Sequence, residues 1–102
     1  MLERDAIIDS AKETINGERA ADYGDAFWNH ENIAVGWTVI AREALEKHGK
    51  ITAAHAAIMM DWVKTCRLLN SIGHEDSYRD KVGYSALAYE LEIRGRPSRT
   101  KS

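Results

Sequence analysis

The hydrophobic positions of this chain recur at three- and four-residue spacing along most of its length, and no useful stretch alternates with the two-residue period of a strand. Glycine-containing breaks divide the pattern into four segments. Ala6, Ile7, Ala11 and Ile15 predict a first helix over about Glu3 to Asn16, which Asn16-Gly17 can close with a left-handed cap. A short segment from Glu18 to Gly24 leads to Asp25, which can cap a second helix running to about His48 and closed by Gly49. Thr52 caps a third, which continues to about Ser71. Beyond Gly73, Asp76 or Ser77 opens a fourth that ends near Arg94-Gly95. The only proline, Pro97, lies outside every periodic segment. The pattern therefore predicts an all-α, compact four-helix domain over residues 1–95, followed by a flexible basic tail over 96–102.

The second helix is apolar on two sides. Ile33, Trp37, Ile40 and Ala44 form one stripe, and Trp28, Val35 and Val39 form another. At about 100° per residue the two lie well apart around the axis. One can face the protomer's own core, and the other needs a different cover. A second subunit is the cheapest candidate, so a homo-oligomer is expected.

Composition narrows the function classes. A chain of 102 residues with 44% hydrophobic and 29% charged residues supports one ordered domain with one core. Its formal charge of −2 provides no global field toward nucleic acid or an anionic membrane, so neither is expected as a partner. Apolar runs fall short of the roughly 18 residues that span a bilayer, and no signal pattern opens the chain, so a cytoplasmic location is expected. Cys66 is the only cysteine and reads as a small core hydrophobe. His30, His48, His55 and His74 are scattered without a zinc-binding spacing. The sequence contains no phosphate-binding glycine loop and no nucleophile elbow.

Three polar constellations remain once the core stripes are removed. Asp22-Tyr23-Gly24-Asp25 leads into Asn29 and Asn32, and Asp25, Asn29, Asn32 and Gly36 fall within about 60° of one another on the second helix. Amides enclosed between apolar stripes need partners, either in the fold or in a ligand. On the third helix Asp61, Lys64 and Arg67 lie among Ile58, Met59, Met60, Trp62, Val63 and Leu68. Arginine and lysine together suit phosphate, and they equally suit a salt bridge to the next helix. On the fourth helix Asp76, Asp80 and Gly83 share a face, with Tyr84 beside them. The two aspartates can pair with Lys64 or Arg67, or together hold one Mg2+ ion. Geometry must decide between these.

The ordered set Asp22-Tyr23-Gly24-Asp25, Asn29, Ile33-Ala34, Trp37, Met59-Met60, Lys64, Arg67-Leu68, Asp76-Ser77, Asp80 and Gly83-Tyr84 resembles a family of small phage and prophage proteins known as a domain of unknown function. The resemblance covers roughly Arg19 to Glu90. That family is similar, more loosely, to all-α nucleotide pyrophosphohydrolases of the MazG and dimeric dUTPase type. These are helical oligomers that hold magnesium with clustered carboxylates and cleave a nucleoside triphosphate to monophosphate and pyrophosphate. The present chain departs from their Glu-Glu-x-x-Glu and Glu-x-x-Asp helices: the corresponding positions carry Asp25, Asn29 and Asn32, then Asp61.

Three functional expectations follow. As a pyrophosphohydrolase, the chain would use Asp76 and Asp80 as catalytic metal ligands, with Asp25 a third. Lys64 and Arg67 would neutralise phosphoryl charge, and Tyr23, Asn29 and Tyr84 would contact the nucleotide. As a binding module, it would hold or sequester a nucleotide or nucleotide-like signal without chemistry. As an interaction protein, it would be a helical oligomer with structural salt bridges.

Overall fold

The computed structural model describes residues 2–17 and 25–96. Four helices account for most of them: α1 (Glu3–Asn16), α2 (Ala26–His48), α3 (Ala53–Asn70) and α4 (Glu75–Arg94). Among the described residues there is no strand, so the domain is all-α, as the periodicity predicts. Tyr23, the rest of the 18–24 segment and the tail beyond Arg96 lie outside the described residues.

The helix ends follow from local chemistry. At α2, Asp25 Oδ1 accepts a hydrogen bond from the backbone N–H of Trp28 at 3.2 Å. Gly49 ends α2 with φ +75°, a left-handed conformation that glycine adopts without steric penalty, and its N–H bonds back to the Leu45 carbonyl. At α3, the Thr52 hydroxyl accepts from the His55 N–H while His55 Nδ1 accepts from the Thr52 N–H, a reciprocal capping box with histidine in the usual glutamate position.

Two expectations are corrected. The fourth helix starts at Glu75, because His74 Nδ1 accepts from the Ser77 N–H and so serves as the cap. Gly17 ends α1 at φ −95°, outside the left-handed region.

Helices α2, α3 and α4 stack in one layer with α3 in the middle. α3 contacts both neighbours, α2 and α4 do not meet, and α1 packs against none of the three. Every described residue of α1 is exposed. Most of the buried apolar side chains of the layer are small: Ala44, Ala57, Cys66 and Ala88 are buried, together with Leu68. Short side chains let helix backbones approach closely, which suits ridges-into-grooves packing.

The α2–α3 contact is held by two tryptophans acting in opposite directions. Trp37 of α2 donates its indole N–H to the Met59 carbonyl of α3 at 2.8 Å. Trp62 of α3 donates to the Asn32 carbonyl of α2 at 2.9 Å. Gly36 makes the second bond possible, since a Cβ there would overlap Nε1, Cε2 and Cδ1 of the Trp62 ring. A mid-helix glycine normally weakens a helix by about 1 kcal/mol relative to alanine. Here it provides the space in which the indole lies.

The α3–α4 contact buries Ala88 and adds ion pairs. Lys64 Nζ lies 3.2 Å from Asp80 Oδ2, with side chains 16% and 44% exposed. Lys81 Nζ donates to both Asp61 carboxylate oxygens, at 3.0 and 3.2 Å, and also to Thr65 Oγ1. These bonds put α3 and α4 in an antiparallel hairpin, as the short connection implies.

Gly36→Ala tests the α2–α3 contact, because propensity and packing predict opposite signs. We expect overpacking to win, lowering stability by about 2 kcal/mol, readable as a thermal midpoint roughly 10 °C lower by circular dichroism.

Candidate functional site

The N-terminal half of α2 and the C-terminal turns of α3 enclose a cleft of about 210 Å³, lined by Asp25, Trp28, Asn29, Asn32, Cys66, Leu69 and Asn70. The antiparallel pairing of α2 with α3 puts these two helix ends together. On α3, Cys66, Leu69 and Asn70 recur at helical spacing and so share one flank.

Asn29 is the distinctive side chain of the cleft. It is only 8% exposed, and its side-chain amide makes no hydrogen bond to any described residue. The amide is not an orphaned buried group: its polar atoms stay open to water through the cleft. Asn29 thus faces the cleft with two donors and an acceptor available. Trp28, 65% exposed, forms the outer wall, with its ring edge-to-face against Phe27 at 5.1 Å. Burial in this apolar flank pushes the Cys66 thiol above its ordinary pKa, so it is a weak nucleophile and a packing residue.

A second, shallower groove of about 270 Å³ runs along α4 and is lined by Arg79, Asp80, Gly83, Tyr84 and Leu87. Asp80 lies at its edge with one oxygen held by Lys64. Asp76 points elsewhere: its Oδ1 accepts from Arg79 at 2.8 Å, and that arginine also holds Glu75.

The residues singled out from the sequence therefore separate into groups. Asp25 and Asn29 meet in the α2–α3 cleft. Asp80 and Tyr84 meet on α4, with Lys64 reaching them from α3. Arg67 is half-buried on α3 and engaged in interactions of its own. Tyr23 lies outside the described residues.

The donor set proposed for Mg2+ does not fit a shared cage as placed. Asp80 is paired with Lys64, Asp76 with Arg79, and Asp25 caps α2. Among the described residues no group of three Asp, Glu, His or Cys side chains converges to hold a metal.

Sequence reasoning missed the α3 wall of the cleft, Cys66, Leu69 and Asn70, and the part played by Trp28. Their spacing was visible, but which flank of α3 met α2 was not. It also missed the histidine caps, because histidine is an uncommon N-cap and carries no sequence signature there.

A family pattern described as Domain of unknown function (DUF6378) matches residues 6–92, nearly the whole chain. The chain belongs to the DUF6378 family. The phage resemblance read from the sequence is met as well. This DUF6378 chain is 35% identical over 88 residues to the Gene 55 protein of Mycobacterium phage L5, covering 86% of the chain and 53% of that protein. It is 30% identical over 96 residues to the Gene 55 protein of Mycobacterium phage D29, covering 91% of the chain and 60% of that protein. The chain thus spans between half and three-fifths of the length of these relatives. No solved structure matches it. No helix among the described residues of this DUF6378 chain is long and apolar enough to cross a membrane.

The two aspartates of α4 have different structural roles, which stability can separate. Asp80→Asn leaves the largely buried Lys64 ammonium without its carboxylate and should cost about 1–2 kcal/mol. Asp76→Asn breaks an exposed pair and should cost less than about 0.5 kcal/mol. Urea titration of the two variants checks the order.

Proposed function

We propose that this protein binds a nucleotide without hydrolysing it, seating the base in the α2–α3 cleft. One observation carries the reading: the Asn29 side chain, 8% exposed and without a hydrogen bond to any described residue, lines a cleft walled by an indole. A side-chain amide is a two-point partner for the donor–acceptor edge of a nucleobase. Trp28 offers the flat apolar surface on which a base stacks, a contact worth about 1–3 kcal/mol. Leu69 closes the other side. The resemblance to nucleotide pyrophosphohydrolases points to the same ligand class.

Binding without chemistry is favoured over hydrolysis because the carboxylates that would hold Mg2+ are occupied by Lys64 and Arg79. The pyrophosphohydrolase reading is the alternative outcome of the test.

The test is a thermal-shift screen against ribo- and deoxynucleoside mono-, di- and triphosphates, with Mg2+ and with EDTA. A ligand that binds only the native state raises the midpoint by mass action, by about 2.7 kcal/mol of stability at a hundredfold excess over its Kd. The expected result is a shift that survives EDTA and disappears in Asn29→Leu. That variant should itself melt close to the wild type, since the amide is open to water and makes no hydrogen bond to a described residue. A shift that requires Mg2+ and is accompanied by pyrophosphate release would replace binding with hydrolysis. No shift with any nucleotide would refute the ligand class.

A further inference from the structure

α2 presents a face of mixed apolar and charged residues that its own chain leaves exposed. The core stripe of α2 (Asn29, Ile33, Gly36, Trp37, Ile40 and Ala44) faces α3 and is buried or half-buried. On the opposite side of the helix, Trp28, Glu31, Val35, Thr38, Arg42 and Leu45 are all exposed, with Trp28 at 65%, Val35 at 63% and Leu45 at 55%. Their spacing runs three, four, three, four, three. They therefore share one face, apolar at Trp28, Val35 and Leu45 and polar at Glu31, Thr38 and Arg42.

The seam is complementary to itself only when read backwards. In an antiparallel pairing centred between Gly36 and Trp37, Trp28 meets Leu45, Val35 meets Thr38, and Glu31 meets Arg42 of the other copy. Two-fold symmetry makes each contact twice. Glu31 and Arg42 have no ion pair or hydrogen bond through their side chains among the described residues. We propose that the protein is a homodimer formed by antiparallel packing of α2 on α2 through this seam, with Glu31 and Arg42 of opposite copies fixing the register. Each cleft then has its outer wall, Trp28, pressed by Leu45 of the second copy. Trp28 belongs to both the cleft and the seam, but the dimer is tested at Glu31 and Arg42, which lie outside the cleft.

Charge reversal tests both the dimer and its register. Light scattering coupled to size exclusion on the full chain should give twice 11.5 kDa. Arg42→Glu alone sets glutamate against glutamate at both ends of the seam, and Glu31→Arg alone sets arginine against arginine. Each should weaken dimerisation at least tenfold while circular dichroism reports unchanged helicity. The double variant Glu31→Arg/Arg42→Glu restores both pairs and should restore the dimer. Both positions are exposed, so a folding defect in one single variant leaves the other single variant and the double variant as the readout. A wild-type chain that stays monomeric overturns the proposal. So does an assembly that neither reversal disturbs, or a double variant that stays dissociated.

Discussion

Two indole N–H groups, each donated across the α2–α3 contact to a backbone carbonyl, hold the layer in register, and the rest of the arrangement depends on where they put α2. Each bond is worth about 1 kcal/mol net, a modest sum. Its importance is geometric. Trp37 and Trp62 reach in opposite directions from opposite helices, so α2 can neither slide nor rotate without breaking one of them. With α2 fixed, Asn29 is turned into the cleft and the Trp28–Val35–Leu45 side is turned outward. The candidate ligand cleft and the candidate subunit seam are thus two results of one docking angle.

α3 separates two kinds of chemistry. Its α2 flank carries indoles, Cys66 and Leu69, and uses side-chain-to-backbone bonds. Its α4 flank carries Asp61, Lys64 and Thr65, and uses ion pairs with Lys81 and Asp80. The cations that looked available for phosphate are divided by this. Lys64 holds the α3–α4 hairpin together, and it does not line the cleft where Asn29 lies. The carboxylates Asp25, Asp76 and Asp80 are divided in the same way, each engaged in a different contact.

Much of this was legible in the sequence. The periodicity placed all four helices to within a residue or two, because apolar spacing, Asp25, Thr52 and Gly49 all signal the same boundaries. The two-sided character of α2 was equally plain, and the structure assigns the Ile33–Trp37–Ile40–Ala44 stripe to α3 and leaves the Trp28–Val35–Val39 stripe exposed. Pairings between helices were not legible. Lys64 had several carboxylates within reach on the following helix, and only the hairpin's register chose Asp80. The role of Gly36 was hidden for a similar reason, since a glycine within a helix does not announce the ring that will cover it. The start of α4 was misplaced because His74 caps through an imidazole nitrogen, a function that asparagine or aspartate would have advertised.

The acceptors of the tryptophan bonds are the carbonyls of Asn32 and Met59, main-chain atoms that every residue carries. The contact therefore constrains only the donors and the space they need. Positions 32 and 59 are free to vary for this purpose, while the two indoles and the glycine are not. A fold pinned in this way can tolerate extensive sequence drift at its central interface, and relatives far from this chain can keep the same docking angle with three residues in common there.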